Sequence, residues 1–104
     1  MKERSQFTIW LDRTNKEVKR QYIRQFKSAG WKPLTYVKGR KFIKIKQGSS
    51  VWGFVSMVEG VHKGALVCKG DLLKAESWQS PAKHSRGNIF DGTARFGVFG
   101  PEYL

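Results

Sequence analysis

Lys83-His84-Ser85-Arg86 is the stretch of this 104-residue chain where acid–base chemistry is easiest to imagine. A histidine flanked by cations, with Asp71 or Asp91 brought near by folding, could move a proton at a phosphodiester. The same four residues also make an ordinary basic surface loop, which is the commoner use of such a tetrapeptide. No catalytic residue is therefore expected. His62, His84 and Cys68 lack Cys-x-x-Cys, His-x-x-x-His or similar spacing, so neither a metal nor a cofactor is expected. Phosphate-binding glycine loops, dinucleotide fingerprints and Gly-x-Ser-x-Gly elbows are missing as well. Cys68 ends an apolar run and reads as a small core residue. Trp78, beside Ser77 and near Pro81, reads either as the lid of a small core, the commoner role, or as an exposed stacking residue.

Binding chemistry is better supplied. Twenty Lys and Arg face eight Asp and Glu, for a formal net charge of +12. Residues 1–30 carry eight basic and three acidic side chains, residues 31–50 six and none, residues 51–104 six and five. The positive charge thus sits in the first half, a bias that favours a cationic face meeting a polyanion. Candidate phosphate contacts are Lys16, Lys19, Arg20, Arg24 and Lys27 on a helix, and Arg40, Lys41, Lys44 and Lys46 on a hairpin. Phe42, among the hairpin cations, offers a stacking plane for single strands, and Gly53 a place for a backbone to come close. Lys83 and Arg86 could extend the surface, with the Gly87 and Asn88 amides turned towards an anion. The plain alternative for each set is a solvated charged face.

These residues need elements to position them. Gln6-Phe-Thr-Ile-Trp-Leu-Asp12 is rich in β-branched and aromatic types and predicts a strand. Thr14-x-x-Glu17 has capping-box spacing, and Gly30 is a suitable stop, which predicts a helix of about 15–29. Its buried stripe would be Val18, Tyr22, Phe26 and Ala29. The five cations opposite, with Ile23 among them, have no acidic residue at i±4 except Glu17 at the helix end.

Residues 41–58 predict a hairpin about Gln47-Gly48-Ser49-Ser50, with Lys46 opposite Val51. One face would then carry Ile43, Ile45, Trp52 and Phe54, the other Phe42, Lys44, Lys46, Val51, Gly53 and Val55. A short strand is expected near Ala65–Cys68. Pro81 and Gly87 make much of 70–92 a structured loop, and strand-like alternation returns from Thr93. The fold expected is α+β: a single domain over 1–104, one amphipathic basic helix on a mostly antiparallel sheet.

Composition bounds the rest. With 39% hydrophobic and 13% aromatic residues the chain has enough apolar material to fold. No apolar run approaches the roughly 20 residues of a membrane span. The N-terminal residues lack a signal peptide's apolar core. One cysteine excludes an internal disulfide and fits a reducing cytoplasm.

Residues 70–92 (GDLLKAESWQSPAKHSRGNIFDG) and the terminal Gly100-Pro-Glu-Tyr-Leu104 resemble segments of small uncharacterised proteins of tailed bacteriophages. That resemblance implies action in a bacterial host cytoplasm, by binding nucleic acid or by blocking a host protein. The expected function is non-enzymatic binding of DNA or RNA through the phosphate backbone, with little sequence specificity. The alternatives are a protein–protein module docking on an acidic host partner, anchored by Ile23 and tryptophans, and a small phosphodiesterase using His84.

Overall fold

Residues 6–12 form helix where their types predict strand. In the computed structural model, which describes residues 5–27, 30–98 and 100–101, helix α1 runs Gln6–Phe26. Ser5 caps it: the Thr8 amide donates to Ser5 Oγ at 3.1 Å. Phe7, Leu11, Thr14 and Val18 are its buried residues, spaced i, i+4, i+7 and i+11 along one stripe. Phe, Thr, Ile and Trp in the first two turns have weak helix propensity, but burying Phe7 and Leu11 overrides it. Thr14 is thus a core residue at 2% exposure rather than a cap.

At the other end, Tyr22 is half-buried and Phe26 is exposed, the two rings packed 4.8 Å apart, while Ala29 lies outside the described residues. Lys27, not Gly30, ends the helix. It adopts the left-handed conformation (φ 55°), and its N–H donates to the Ile23 carbonyl at 2.8 Å.

Five antiparallel strands form the sheet, ordered β1-β2-β3-β6-β7: Leu34–Lys38, Phe42–Gln47, Ser50–Ser56, Asp71–Ala75 and Pro81–Asn88. Strand β1 was not foreseen, and residues 71–88 are mostly a hairpin rather than a loop. Pro81 opens an edge strand, where its missing N–H costs no ladder bond. The helix packs on one sheet face, with Phe7, Leu11 and Val18 against Ile43, Ile45, Trp52, Val55 and Leu72. Asn15 fastens the two layers. Its Oδ1 accepts from the Leu34 amide at 2.6 Å and its Nδ2 donates to the Leu34 carbonyl at 3.0 Å.

The β2–β3 turn behaves as expected, placing Lys46 opposite Val51. One step further the register shifts. Ile45 pairs with Gly53, Lys44 with Phe54 and Ile43 with Val55, so Trp52 is the extra residue of a β-bulge. A shift of one residue exchanges the faces of everything beyond it. Val55 therefore joins the helix-side core with Trp52, and Phe54 turns to the opposite face beside Phe42.

A short ribbon, β4 (Gly60–His62) and β5 (Ala65–Val67), covers part of that second face, Val67 packing with Phe54 and Leu73. The last ribbon, β8 (Phe96–Gly97) and β9 (Gly100–Pro101), lies against β3 and β6. Gly53 serves this contact, since a Cβ there would sit 2.8 Å from Pro101 Cγ. It is buried and opens no path for a ligand backbone.

Candidate functional site

Alternation along β2 puts Phe42, Lys44 and Lys46 on the sheet face away from α1. Lys44 and Lys46 are half-buried and follow one another at about 6.6 Å, two residues of strand rise. Arg40 and Lys41 are exposed in the β1–β2 turn just ahead of them. Together with Gln79, Arg40, Lys41 and Lys44 wall a groove of about 380 Å³ whose floor is Phe42 and Phe54. No carboxylate lines it among the described residues. Four of the twelve expected contact residues, with Lys46 beside them, thus meet on one surface.

Trp78 completes the surface. It sits in the β6–β7 turn, 46% exposed, and that turn reaches over the sheet so that Lys44 Nζ lies 4.8 Å and Lys46 Nζ 5.4 Å from its ring centroid. The turn is tied by its own backbone: the Glu76 and Ser77 amides both donate to the Ser80 carbonyl, at 3.0 and 3.1 Å. Trp78 is therefore not a core lid. Of the two readings the sequence allows, it takes the exposed one, and its polar neighbours Glu76, Ser77, Gln79 and Ser80 are the signal that favours it. Phe42 is less available than expected. Its ring is half-buried, edge-on to Phe54 at 6.4 Å and to His62 at 5.0 Å.

His62 Nε2 bonds the Pro81 carbonyl at 2.9 Å, and Lys63 reaches Glu76, so the β4–β5 ribbon is tethered beside the groove. The hydrogen bond from Lys63 holds the Glu76 carboxyl below its ordinary value.

The helix cations stand elsewhere. Lys16, Lys19, Arg20 and Arg24 are exposed on the outer side of α1, with Lys27 at its end, and the whole sheet separates them from β2's lysines. They are also less isolated than a helix beginning at residue 15 implies. The longer α1 places Asp12 four residues before Lys16, and Arg20 pairs with Glu17 at 2.7 Å. Hydrogen bonds from Gln21 and Arg20 lower the Glu17 carboxyl's pKa.

The third set separates too. Lys83 and His84 are exposed on β7, three strands from β2. Arg86 is buried, at 7% exposure, because the chain after β7 folds back over it and the Arg95 amide donates to its carbonyl. It leaves the surface set. The Gly87 amide is taken by Ser85 Oγ at 3.1 Å and the Asn88 amide by Thr93 Oγ1 at 2.9 Å, so neither faces an anion.

The carboxylates considered for His84 are engaged otherwise. Asp71 is buried and accepts from the Cys68 amide and from Asn88, while Asp91 accepts from Thr93, whose hydroxyl and amide lower its pKa. Cys68 itself is exposed rather than part of the core. No group of three or more His, Cys, Asp or Glu gathers among the described residues in a way that could hold a metal. Nor is any described helix long and apolar enough to cross a membrane.

No curated protein and no solved structure matches the chain. A family model does match, over residues 6–100, a span from the start of α1 to the first residue of β9. The chain belongs to this family, described as a family of unknown function (DUF7717).

Proposed function

We propose that the protein binds nucleic acid without catalysis, holding the phosphate backbone along the groove of Arg40, Lys41 and Lys44 and past Lys46 beside it. One observation carries the reading: a basic groove with no carboxylate among the described residues of its lining, whose cations all come from residues 31–50, a segment that contains no acidic residue. Cations gathered this way repel one another, and a polyanion relieves that repulsion. The groove presents few groups that read base edges, so affinity is mainly electrostatic and sequence selectivity low. The cationic face of α1 is a separate surface in this reading and adds long-range attraction only. Action in a bacterial cytoplasm is part of the proposal. The single cysteine fits a reducing compartment, and the resemblance drawn from residues 70–92 and 100–104 implies a bacterial one.

The test is a fluorescence-anisotropy titration of labelled DNA and RNA, single- and double-stranded, at several salt concentrations. Binding with a steep log–log salt slope is expected. Dissociation constants weaker than roughly 10⁻⁴ M for all four ligands near physiological salt would be poorer than ordinary non-specific binding and would refute the proposal.

A second reading has its own observation. Val61 and Leu66, partners across the β4–β5 ribbon, are 72% and 79% exposed, an apolar pair suited to a protein partner. Capture of a protein that survives nuclease and high salt, and is lost in Val61→Ser/Leu66→Ser, would favour it, since apolar contacts resist screening.

A further inference from the structure

We infer that Trp78 and the two lysines beneath it form a base-stacking site, and that the polynucleotide held in the groove is single-stranded. The inference rests on the nucleic-acid reading of the same groove and adds the form of ligand it accepts. Of the four tryptophans, Trp52 is buried, Trp10 and Trp31 pack partly buried against the helix-side core, and Trp78 stands in water at the tip of a turn. An apolar ring that large is ordinarily placed under cover. Here two backbone hydrogen bonds to the Ser80 carbonyl fix the turn, and the Lys44 and Lys46 ammonium groups draw the indole over the sheet. The ring is thus held in place before any ligand arrives.

What such an arrangement accepts follows from its parts. The two lysines leave one strand about 6.6 Å apart at the backbone, with both ammonium groups beside the indole, so their long side chains can reach successive phosphates of a backbone. The indole supplies a flat apolar surface beside them. A base that stacks there must bring its own face, and in a duplex those faces are already covered by neighbouring base pairs. A single strand offers phosphates and open base faces together. It can take the ammonium groups as phosphate partners and replace their contact with the indole by a base. Phe42 does not compete for the role, because Phe54 and His62 hold it edge-on in the groove floor.

The experiment compares a labelled 12-nucleotide single strand with the duplex of the same sequence, by anisotropy at four salt concentrations, for the wild type, Trp78→Leu and Trp78→Phe. Tryptophan emission is followed in the wild type and in Trp78→Leu. The wild type should prefer the single strand and show quenching that Trp78→Leu lacks. Removing one stacked base contact should weaken single-strand binding about 5- to 150-fold with an unchanged salt slope, because no charge is removed, and Trp78→Phe should restore part of the loss. Trp78 is exposed and thermal melting checks the fold of both variants. Equal single-strand and duplex affinities with an indifferent Trp78→Leu would overturn the stacking site while leaving the phosphate groove standing. No binding of either ligand would overturn both.

Discussion

Neutralising Lys44 and Lys46 tests whether the protein's charge acts at one place or everywhere. Lys44 lines the groove with Arg40 and Lys41, Lys46 follows it along β2, and no acidic residue is among the described residues of the lining. Each phosphate contact to a single strand contributes about −0.7 to the slope of log K against log salt. Lys44→Gln/Lys46→Gln should therefore flatten the slope by about 1.4. At an ionic strength of about 0.15 M each contact is worth about 0.6 log unit, so the pair costs roughly 15-fold in affinity, or about 1.6 kcal/mol. Lys16→Gln/Lys19→Gln removes the same charge from the outer face of α1, across the sheet. Beyond a Debye length of about 8 Å that charge is largely screened, and the loss should stay within about twofold. Lys44→Arg/Lys46→Arg keeps the charge and should bind nearly as the wild type does. The assay is anisotropy with a labelled 12-nucleotide strand between low and physiological salt. Equal losses from the two glutamine pairs would refute the groove, since they would mean that net charge alone sets affinity.

Other substitutions probe the framework that holds this face. Asn15→Ala removes both hydrogen bonds to Leu34 and should cost about 2 kcal/mol in urea unfolding; a cost near zero would mean that α1 is held by burial alone. Gly87 has φ +95°, and a Cβ there would lie 2.0 Å from the Thr93 carbonyl oxygen, so Gly87→Ala should lower stability by more than about 1 kcal/mol, readable as a fall in Tm. Lys63 holds the folded pKa of Glu76 below 4.5, so their pairing stabilises the fold above pH 4.5 and fades as pH falls through the lowered value. The stability gap between wild type and Glu76→Gln should accordingly be small at neutral pH and close in acid; a gap that widens in acid would contradict the sign. His84→Ala should bind nucleic acid as the wild type does in the same anisotropy assay, because His84 stands on β7 away from the groove.

The α+β class was legible in the sequence, and so were the hairpin turn and the cations of β2. The first two turns of α1 were not. Phe7, Ile9 and Trp10 look like strand residues until Phe7 and Leu11 are seen to continue the stripe of Thr14 and Val18 at helical spacing. Starting the helix at residue 15 hid Asp12, and with it a carboxylate one turn from Lys16. Strand β1 lies between Pro33 and Gly39, and Leu34-Thr-Tyr-Val-Lys38 has the β-branched and aromatic types that mark such strands. In β7, Pro81 and Gly87 do read as loop punctuation. Only the sheet edge and the contact with Thr93 explain why a strand contains them.

The β3 bulge shows why a surface cannot be listed from a hairpin's turn alone. The turn fixes Lys46 against Val51, and local alternation then decides correctly which way Lys44 and Lys46 point. Trp52 as an extra residue leaves those lysines where they were but exchanges Val55 for Phe54 on their face. An aromatic floor under the groove is the consequence, and Phe42 turns edge-on to it. The exposed aromatic ring beside the β2 cations is instead Trp78, 36 positions after Phe42, which the β6–β7 turn brings past β3 to β2. Charge tells a similar story. The helix carries more cations than the groove, yet Glu17 pairs with one of them and Asp12 shares their helix, while the described lining of the groove holds no acid. What distinguishes the two faces is the uncompensated charge beside an exposed indole, not the number of lysines and arginines.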